Sequence, residues 1–321
     1  MKAMTWILLV AAFTIVVVVA QCADLTDHGV AVPLAERRGV VGVQADDGKN
    51  LVIACSTDLS ERGWILVTDI DSGETEQVWA PEQVPNGPPY GSCVAENGKL
   101  YTAQGDWLLE FDPTSREWTF AGRPAPGASS YLRIIPGPDG KIWLGDVYRA
   151  GLSCYDPQTQ QMTDYGPMDE EQYCSHIGFD DAGWIYCGIG TARTNIVAFN
   201  PKTEEKRSLI PDAQREIGTA YTYTGPDGNA YGRAAGQWYR LHEGAAEPIE
   251  ESEASTEKDM GDIYWGDVDA EFPDGRTVTA YDLQQKYLDV YNPASDATRT
   301  INFDYDSEGT VIRVLTSGPG E

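Results

Sequence analysis

The chain has 321 residues, with 23 Lys and Arg against 50 Asp and Glu, which gives a formal net charge of -27. Such an excess of acid is repelled by phosphate backbones and anionic lipid, which argues against nucleic-acid and membrane-surface partners. A hydrophobic fraction of 41% is enough to build a core, so extended disorder is excluded.

The first feature in chain order is an apolar run near the N-terminus. Lys2 precedes a stretch from Trp6 to Ala20 that is typical of a signal-peptide core and short for a membrane span. We therefore expect residues 1–20 to be a signal peptide and residues 21–38 to be a lead-in segment. The mature protein is then secreted, periplasmic or extracellular, and an uncleaved anchor is the alternative.

Six cysteines are present, and none forms a CxxC pair, so a zinc knuckle or a thioredoxin-type motif is not supported. Cys22 follows the expected cleavage site and would allow a lipid anchor, although Gln21 before it is larger than lipidation sites prefer. In an exported protein one or two disulfides could form. The alternative is a set of buried free thiols at Cys55, Cys93, Cys154, Cys174 and Cys187.

From residue 39 the chain repeats about every 45 residues. Two turn motifs recur in step with each other in this repeat. The second of them, in which Asp or Asn precedes Pro, lies at Asp112, Asp156 and Asn200. Two hairpins in each repeat imply four strands, which is the size of a β-propeller blade. The first motif is a tight turn at Asp47-Gly48, Asn97-Gly98, Asp139-Gly140, Ala182-Gly183, Asp227-Gly228 and Asp274-Gly275.

The predicted fold class is therefore all-β, a β-propeller of four-stranded blades that occupies residues 39–321. The stretch from Ile312 to Gly320 echoes the start of blade three, which predicts a seventh blade that is truncated. A six-bladed ring with a leftover strand is the alternative. We place the six complete blades at about 39–88, 89–130, 131–172, 173–216, 217–262 and 263–309.

Both turn motifs belong to one face of a propeller, so candidate site residues begin the innermost strand or end the second strand of a blade. Near the ends of second strands lie Gln104 and Asp146. Tyr90, Tyr131 and Tyr264 fall close to the level of the innermost positions. Counting seven residues back from each turn glycine gives a ring of channel positions: Val41, Gly91, Arg133, His176, Tyr221 and Val268, with Arg313 added if blade seven exists.

These residue types suggest a polar, aromatic-lined pocket at the channel mouth. Arg133 could bind a carboxylate, and His176 could act as a general base or a metal ligand. Asp146 could orient His176 or hold a cation, and the tyrosines could contact ligand or serve packing alone. No metal-binding motif is present, the cofactor is unknown, and a Mg or Ca ion is compatible with the sequence. The acidic stretch from Glu243 to Asp262 is expected to be a solvated loop.

The run from Gly137 to Asp146, followed by Tyr155-Asp156-Pro157, resembles the repeat of streptogramin lyase-like propellers. Lactonase-like propellers of the SMP-30/gluconolactonase type and YVTN-repeat propellers are similar. In the lyases a histidine on the innermost strand and an acid at the end of the second strand line the channel mouth, with a magnesium ion assisting. The resemblance implies that His176 and Asp146 are the counterparts of these residues.

Three hypotheses about function follow. In the first, a secreted propeller binds a small molecule, glycan or peptide at the mouth of its channel, with no membrane contact beyond an N-terminal anchor. In the second, the protein is a lyase or hydrolase with His176, Arg133 and Asp146 at its centre. The third is a quinoprotein-like redox propeller, suggested by Trp79 and Trp118 after two of the outer turns.

Overall fold

A computed structural model describes residues 25–32, 34–310 and 315–317. The predicted signal peptide, Cys22 and Arg313 lie outside the described residues. Among the residues that are described, no helix is long and apolar enough to cross a membrane.

The chain is built almost entirely from antiparallel strands, as predicted. A short strand, β1 (Leu25–Asp27), comes first and is followed by five groups of four strands. We call these groups blades 1 to 5, and blade 1 contains β2 (Glu36–Gln44), β3 (Asn50–Thr57), β4 (Trp64–Asp69) and β5 (Thr75–Trp79), while blade 2 contains β6 (Gly91–Val94), β7 (Leu100–Gln104), β8 (Trp107–Asp112) and β9 (Glu117–Gly122). Blade 3 contains β10 (Tyr131–Pro136), β11 (Ile142–Asp146), β12 (Gly151–Asp156) and β13 (Gln161–Pro167), and blade 4 contains β14 (Tyr173–Phe179), β15 (Ile185–Gly190), β16 (Asn195–Asn200) and β17 (Glu205–Ser208). Blade 5 contains β18 (Tyr221–Thr224), β19 (Ala230–Ala234), β20 (Gln237–His242) and β21 (Ala245–Ile249).

A sixth sheet, blade 6, contains three consecutive strands. The residues before it form two short strands that pair with the innermost strands of blades 1 and 2. The last described strand pairs with β1 in a separate two-stranded sheet. These strands are β22 (Asp262–Tyr264), β23 (Val268–Asp269), β24 (Thr277–Asp282), β25 (Tyr287–Asn292), β26 (Ala297–Asn302) and β27 (Leu315–Ser317), and the two 3-10 helices span Asp212–Gln214 and Glu251–Glu253.

Both repeated turn motifs have the geometry that their residues predict. The glycine of the first motif adopts a positive φ in every repeat, for example +77° at Gly140, a conformation that only glycine reaches without strain. In the second motif the Asp or Asn side chain accepts the N–H two residues later, as from Thr114 to Asp112 at 2.8 Å and from Lys202 to Asn200 at 3.0 Å. The propeller of four-stranded blades is thus confirmed, while the number of blades and the domain limits stay predictions.

Buried apolar clusters join each blade to the next from blade 1 to blade 5. One further cluster joins blade 1 to blade 6 through Trp64, Leu66, Tyr281 and Leu288. In the described part of the chain, no such cluster joins blade 5 to blade 6. The flank of blade 5 is covered instead by the segment after β21, where Ala254 packs near Tyr223.

Residues 255–269, which we call the channel segment, run among the innermost strands. Lys258 N–H donates to Thr224 O at 2.8 Å in blade 5, and Val94 N–H of blade 2 donates to Gly261 O at 2.9 Å. Asp262 then pairs with Cys93, and Val40 N–H of blade 1 donates to Asp267 O at 3.0 Å. Asp262, the last residue of the acidic stretch, therefore lies among the innermost strands, whereas residues 256–259 are exposed, as expected of a solvated loop.

Candidate functional site

The backbone directs two predicted site residues into the channel by a local irregularity. In β10 the pairing register shifts between Tyr131 and Arg133, and in β14 it shifts between Cys174 and His176. A β-bulge of this kind re-aims the side chain that follows it. Arg133 and His176 therefore project at equivalent places on two neighbouring blades.

A cavity of about 380 Å³ lies where these side chains meet the channel segment, and we call it the channel cavity. Four of the predicted site residues lie in it, one of them, Tyr264, in the channel segment, and six further residues of that segment complete it. Its lining is Arg133, His176, Tyr221, Glu257, Lys258, Asp259, Met260, Asp262, Tyr264 and Asp267.

The centre of the cavity wall is aromatic. The His176 ring lies edge-to-face with Tyr221 at a centroid distance of 4.7 Å and nearly parallel to Tyr264 at 6.3 Å. Its Nδ1 is 3.1 Å from the hydroxyl of Ser175. Burial, together with the nearby charge of Arg133, lowers the pKa of His176 to about 4. The imidazole is therefore neutral at neutral pH.

Three charged groups of the cavity are paired with one another. Arg133 forms an ion pair with Asp262 and lies 3.7 Å from a carboxylate oxygen of Glu257. Burial raises the pKa of Asp262 to about 6, although Arg133 opposes that shift. The hydroxyl of Tyr221 donates to Glu257. Arg133, which we predicted to bind an anionic ligand group, thus has an anionic partner within the chain.

Two features distinguish this cavity from a channel filled by packed apolar side chains. Among the described residues, the buried Nε of Arg133 has no hydrogen-bond partner, so one polar atom remains to be satisfied, whereas Asp262 Oδ2 is held by its ion pair with Arg133. The lining also holds four acids against two bases, since His176 is neutral. The cavity therefore attracts positive charge.

The other predicted site residues lie elsewhere. Asp146 is buried, and its carboxylate accepts from Gly151 N–H at 2.7 Å and from Arg149 Nε at 2.8 Å, which stabilises the loop after β11. Gln104 is buried and accepts from Gly87 N–H at 3.1 Å. The structure therefore does not bring Asp146 or Gln104 to His176.

Tyr131 and Tyr90 are also outside the channel cavity. The buried Tyr131 hydroxyl donates to Asp106 O at 3.3 Å, and burial raises its pKa. Tyr90 packs edge-on against Trp265 at 5.9 Å, and the Arg38 guanidinium lies 5.3 Å from the Tyr90 ring centroid. These tyrosines hold loops in place next to the channel.

Sequence reasoning missed Glu257 and Asp262 because both fall in a stretch whose composition is that of a solvated loop. One signal could have located them. Arg133 was predicted inside the channel, and a buried guanidinium requires a carboxylate close by. Asp262 is the acid that directly precedes the predicted start of blade six.

The arrangement does not fit a divalent cation. Mg and Ca ions need several oxygen ligands gathered around one point. Among the described residues, no group of three or more His, Cys, Asp and Glu side chains is placed to hold a metal ion. The carboxylates of Asp262 and Glu257 are directed to Arg133 and Tyr221 instead.

No protein-family model matches this chain, and neither does any curated protein. Its fold is similar to that of a streptogramin B lyase structure, at 12% identity and a TM-score of 0.47, with 88% of each chain covered. The virginiamycin B lyase of Staphylococcus aureus is similar at 10% identity and a TM-score of 0.48, covering 88% of this chain and 89% of that one. The extracellular domain of a one-component system from B. thetaiotaomicron is similar at 12% identity and a TM-score of 0.39, covering 87% of this chain and 40% of that one. The resemblance to streptogramin lyase-like propellers is a likeness of fold, and it carries no conclusion about activity.

Proposed function

We propose that this protein is a secreted propeller that binds a small molecule, sugar or peptide through a protonated amine in the channel cavity. One observation supports this best. Tyr221, Tyr264 and the neutral ring of His176 line the same cavity as an excess of carboxylates. Ring faces and carboxylates both attract an organic cation, most strongly where water is excluded.

Binding accounts for this geometry better than acid–base catalysis does. A general base works best when its pKa lies near the working pH, and the pKa of His176 is lowered to about 4. Asp146, its expected partner, is engaged by Arg149 and Gly151. The lyase or hydrolase hypothesis therefore lacks the base and acid pair on which it depended.

Two matched pairs of probes test the proposal by isothermal titration calorimetry. Glucosamine is compared with glucose, and triglycinamide with its N-acetyl derivative, so that each pair differs by one positive charge. We expect the charged member of at least one pair to bind about tenfold more tightly, a difference of about 1.4 kcal/mol. Equal affinity within both pairs, or tighter binding of the neutral members, would contradict the proposal.

Glu257→Gln locates the binding. This carboxylate lines the channel cavity and accepts from Tyr221, so its loss should remove most of the preference for the charged probe. Glu205→Gln is the matched control, because Glu205 lies on outer strand β17 and forms an ion pair with the exposed Arg207. A charge preference that survives Glu257→Gln places the amine elsewhere.

A further inference from the structure

A second cavity, of about 280 Å³, lies next to the first, and we call it the rim cavity. It opens between blades 4 and 5 on the face opposite the repeated turns. Tyr221 lines both cavities. A ligand in the channel cavity can therefore extend past Tyr221 into the rim cavity.

The walls of the rim cavity are fixed by backbone hydrogen bonds. Thr194 N–H, in the loop between β15 and β16, donates to Glu216 O at 2.7 Å, and Gly218 N–H donates to Thr191 O at 2.8 Å. On the other side, β19 and β20 are joined by two residues only, Ala235 at φ +49° and Gly236 at φ +75°. This tight turn adds no loop that would cover the opening.

The lining of the rim cavity includes one arginine side chain, that of Arg233. Arg233 lines it and is exposed, and within the described part of the chain its side chain has no ion pair and no hydrogen bond. Other arginines on this face have acidic partners: Arg149 with Asp164, Arg193 with Asp212, and Arg215 with Asp169. In a chain with a net charge of -27, an arginine beside a cavity without an acidic partner leaves its guanidinium free to pair with an anionic group of a ligand.

A second observation also indicates a ligand. Thr194 lines the rim cavity and is only 2% exposed, and its Oγ1 has no hydrogen-bond partner among the described residues. A buried hydroxyl that is left without a hydrogen-bond partner destabilises the protein. A ligand oxygen in the cavity would accept from this hydroxyl and remove that destabilisation.

We propose that the rim cavity binds a carboxylate, and that the ligand is therefore zwitterionic, with the chemistry of a short peptide with free ends. Arg233 and Tyr221 are directly opposite in the β18–β19 ladder, so their side chains lie on the same side of the sheet. Tyr221 donates to Glu257. Arg233 in the rim cavity and the carboxylates of the channel cavity thus lie on either side of one tyrosine. The exposed Glu216 in the lining limits the positive charge, which favours a singly charged carboxylate over a phosphate.

This inference rests on the proposed function, and a third probe separates the two. Triglycine differs from triglycinamide only in its free carboxylate, so calorimetry with both peptides isolates the contribution of the rim cavity. We expect triglycine to bind about tenfold more tightly than triglycinamide to the native protein. In Arg233→Gln this difference should vanish, while the affinity for triglycinamide stays unchanged.

Two further variants complete the test. Thr194→Val should also weaken triglycine binding without changing the affinity for triglycinamide. Arg240→Gln is the matched control, because Arg240 lies in the same blade but pairs with Glu247 away from the cavity. Equal binding of the two peptides with no effect of Arg233→Gln overturns the carboxylate site alone. Absence of binding by either peptide overturns this proposal together with peptide-amine binding in the channel cavity.

Discussion

At the scale of single residues, the channel cavity holds two groups whose proton affinities are shifted in opposite senses. Burial lowers the pKa of His176 to about 4 and raises that of Asp262 to about 6. Each shift disfavours the charged form, as expected where water is excluded. The cavity is therefore a place where an incoming charged group changes the environment of both residues.

These shifts predict how stability depends on pH. The folded protein binds the His176 proton less tightly than the unfolded chain does, so this residue lowers the free energy of unfolding as the pH falls from about 6.5 towards 4. Asp262 binds its proton more tightly when folded, so its contribution falls as the pH rises from about 3.8 to about 6. The two contributions oppose each other across nearly the same range.

Urea unfolding at several pH values between 4 and 6.5 separates them. His176→Gln should make the free energy of unfolding rise less steeply, or fall, with increasing pH, because of these two contributions only that of Asp262 remains. Asp262→Asn should make it rise more steeply. An NMR titration in which the His176 ring protons move with a midpoint near 6.5 would contradict the buried, neutral state assigned to it.

At the scale of strands and turns, the fold follows from two turn motifs that are recognisable in the sequence. The turn glycines and the Asp-Pro turns are local signals, so the strands could be placed from residue types alone. The site was less accessible to sequence reasoning. Arg133, His176 and Tyr221 were found by counting from turns, whereas Glu257 and Asp262 reach the cavity through a long-range path that no local pattern encodes. Asp146 matched a family position, yet its carboxylate accepts a hydrogen bond from the nearby Arg149.

The inner strands of adjacent blades approach so closely that certain positions accept only glycine. A Cβ on Gly178 in β14 would lie 2.7 Å from Tyr223 O on the next blade. Gly140, by contrast, has open space around it and requires glycine only for its φ of +77°. One position is restricted by packing between elements and the other by backbone conformation.

We expect Gly178→Ala to destabilise the protein by about 3 kcal/mol, because the clash is with backbone that cannot move without separating two blades. Gly140→Ala should cost about 1 kcal/mol, the strain of a left-handed residue in an open turn. Urea unfolding curves measure both values. A smaller loss for Gly178→Ala than for Gly140→Ala would show that blades 4 and 5 can separate easily at this level.

At the scale of the whole molecule, the ring is joined in two different ways. Blades 1 to 5 and the contact between blades 6 and 1 share buried apolar clusters. In the described residues no such cluster joins blades 5 and 6, and the channel segment between them in sequence is held by backbone hydrogen bonds to blades 1, 2 and 5 and by the pair of Asp262 with Arg133 of blade 3. Polar contacts of this kind contribute less to stability than buried apolar surface does.

Hydrogen exchange should therefore distinguish the two kinds of joint. Amides of the channel segment, such as Lys258 and Asp267, are expected to exchange through local opening at lower free energy than those of buried strand β11 in blade 3. A ligand in the channel cavity contacts this segment directly, so it should slow exchange there and leave β11 unchanged. Mass spectrometry with and without triglycinamide measures both effects. Protection of the channel segment equal to that of β11 in the free protein would mean that the segment unfolds only with the whole ring, and that ligand entry does not use its opening.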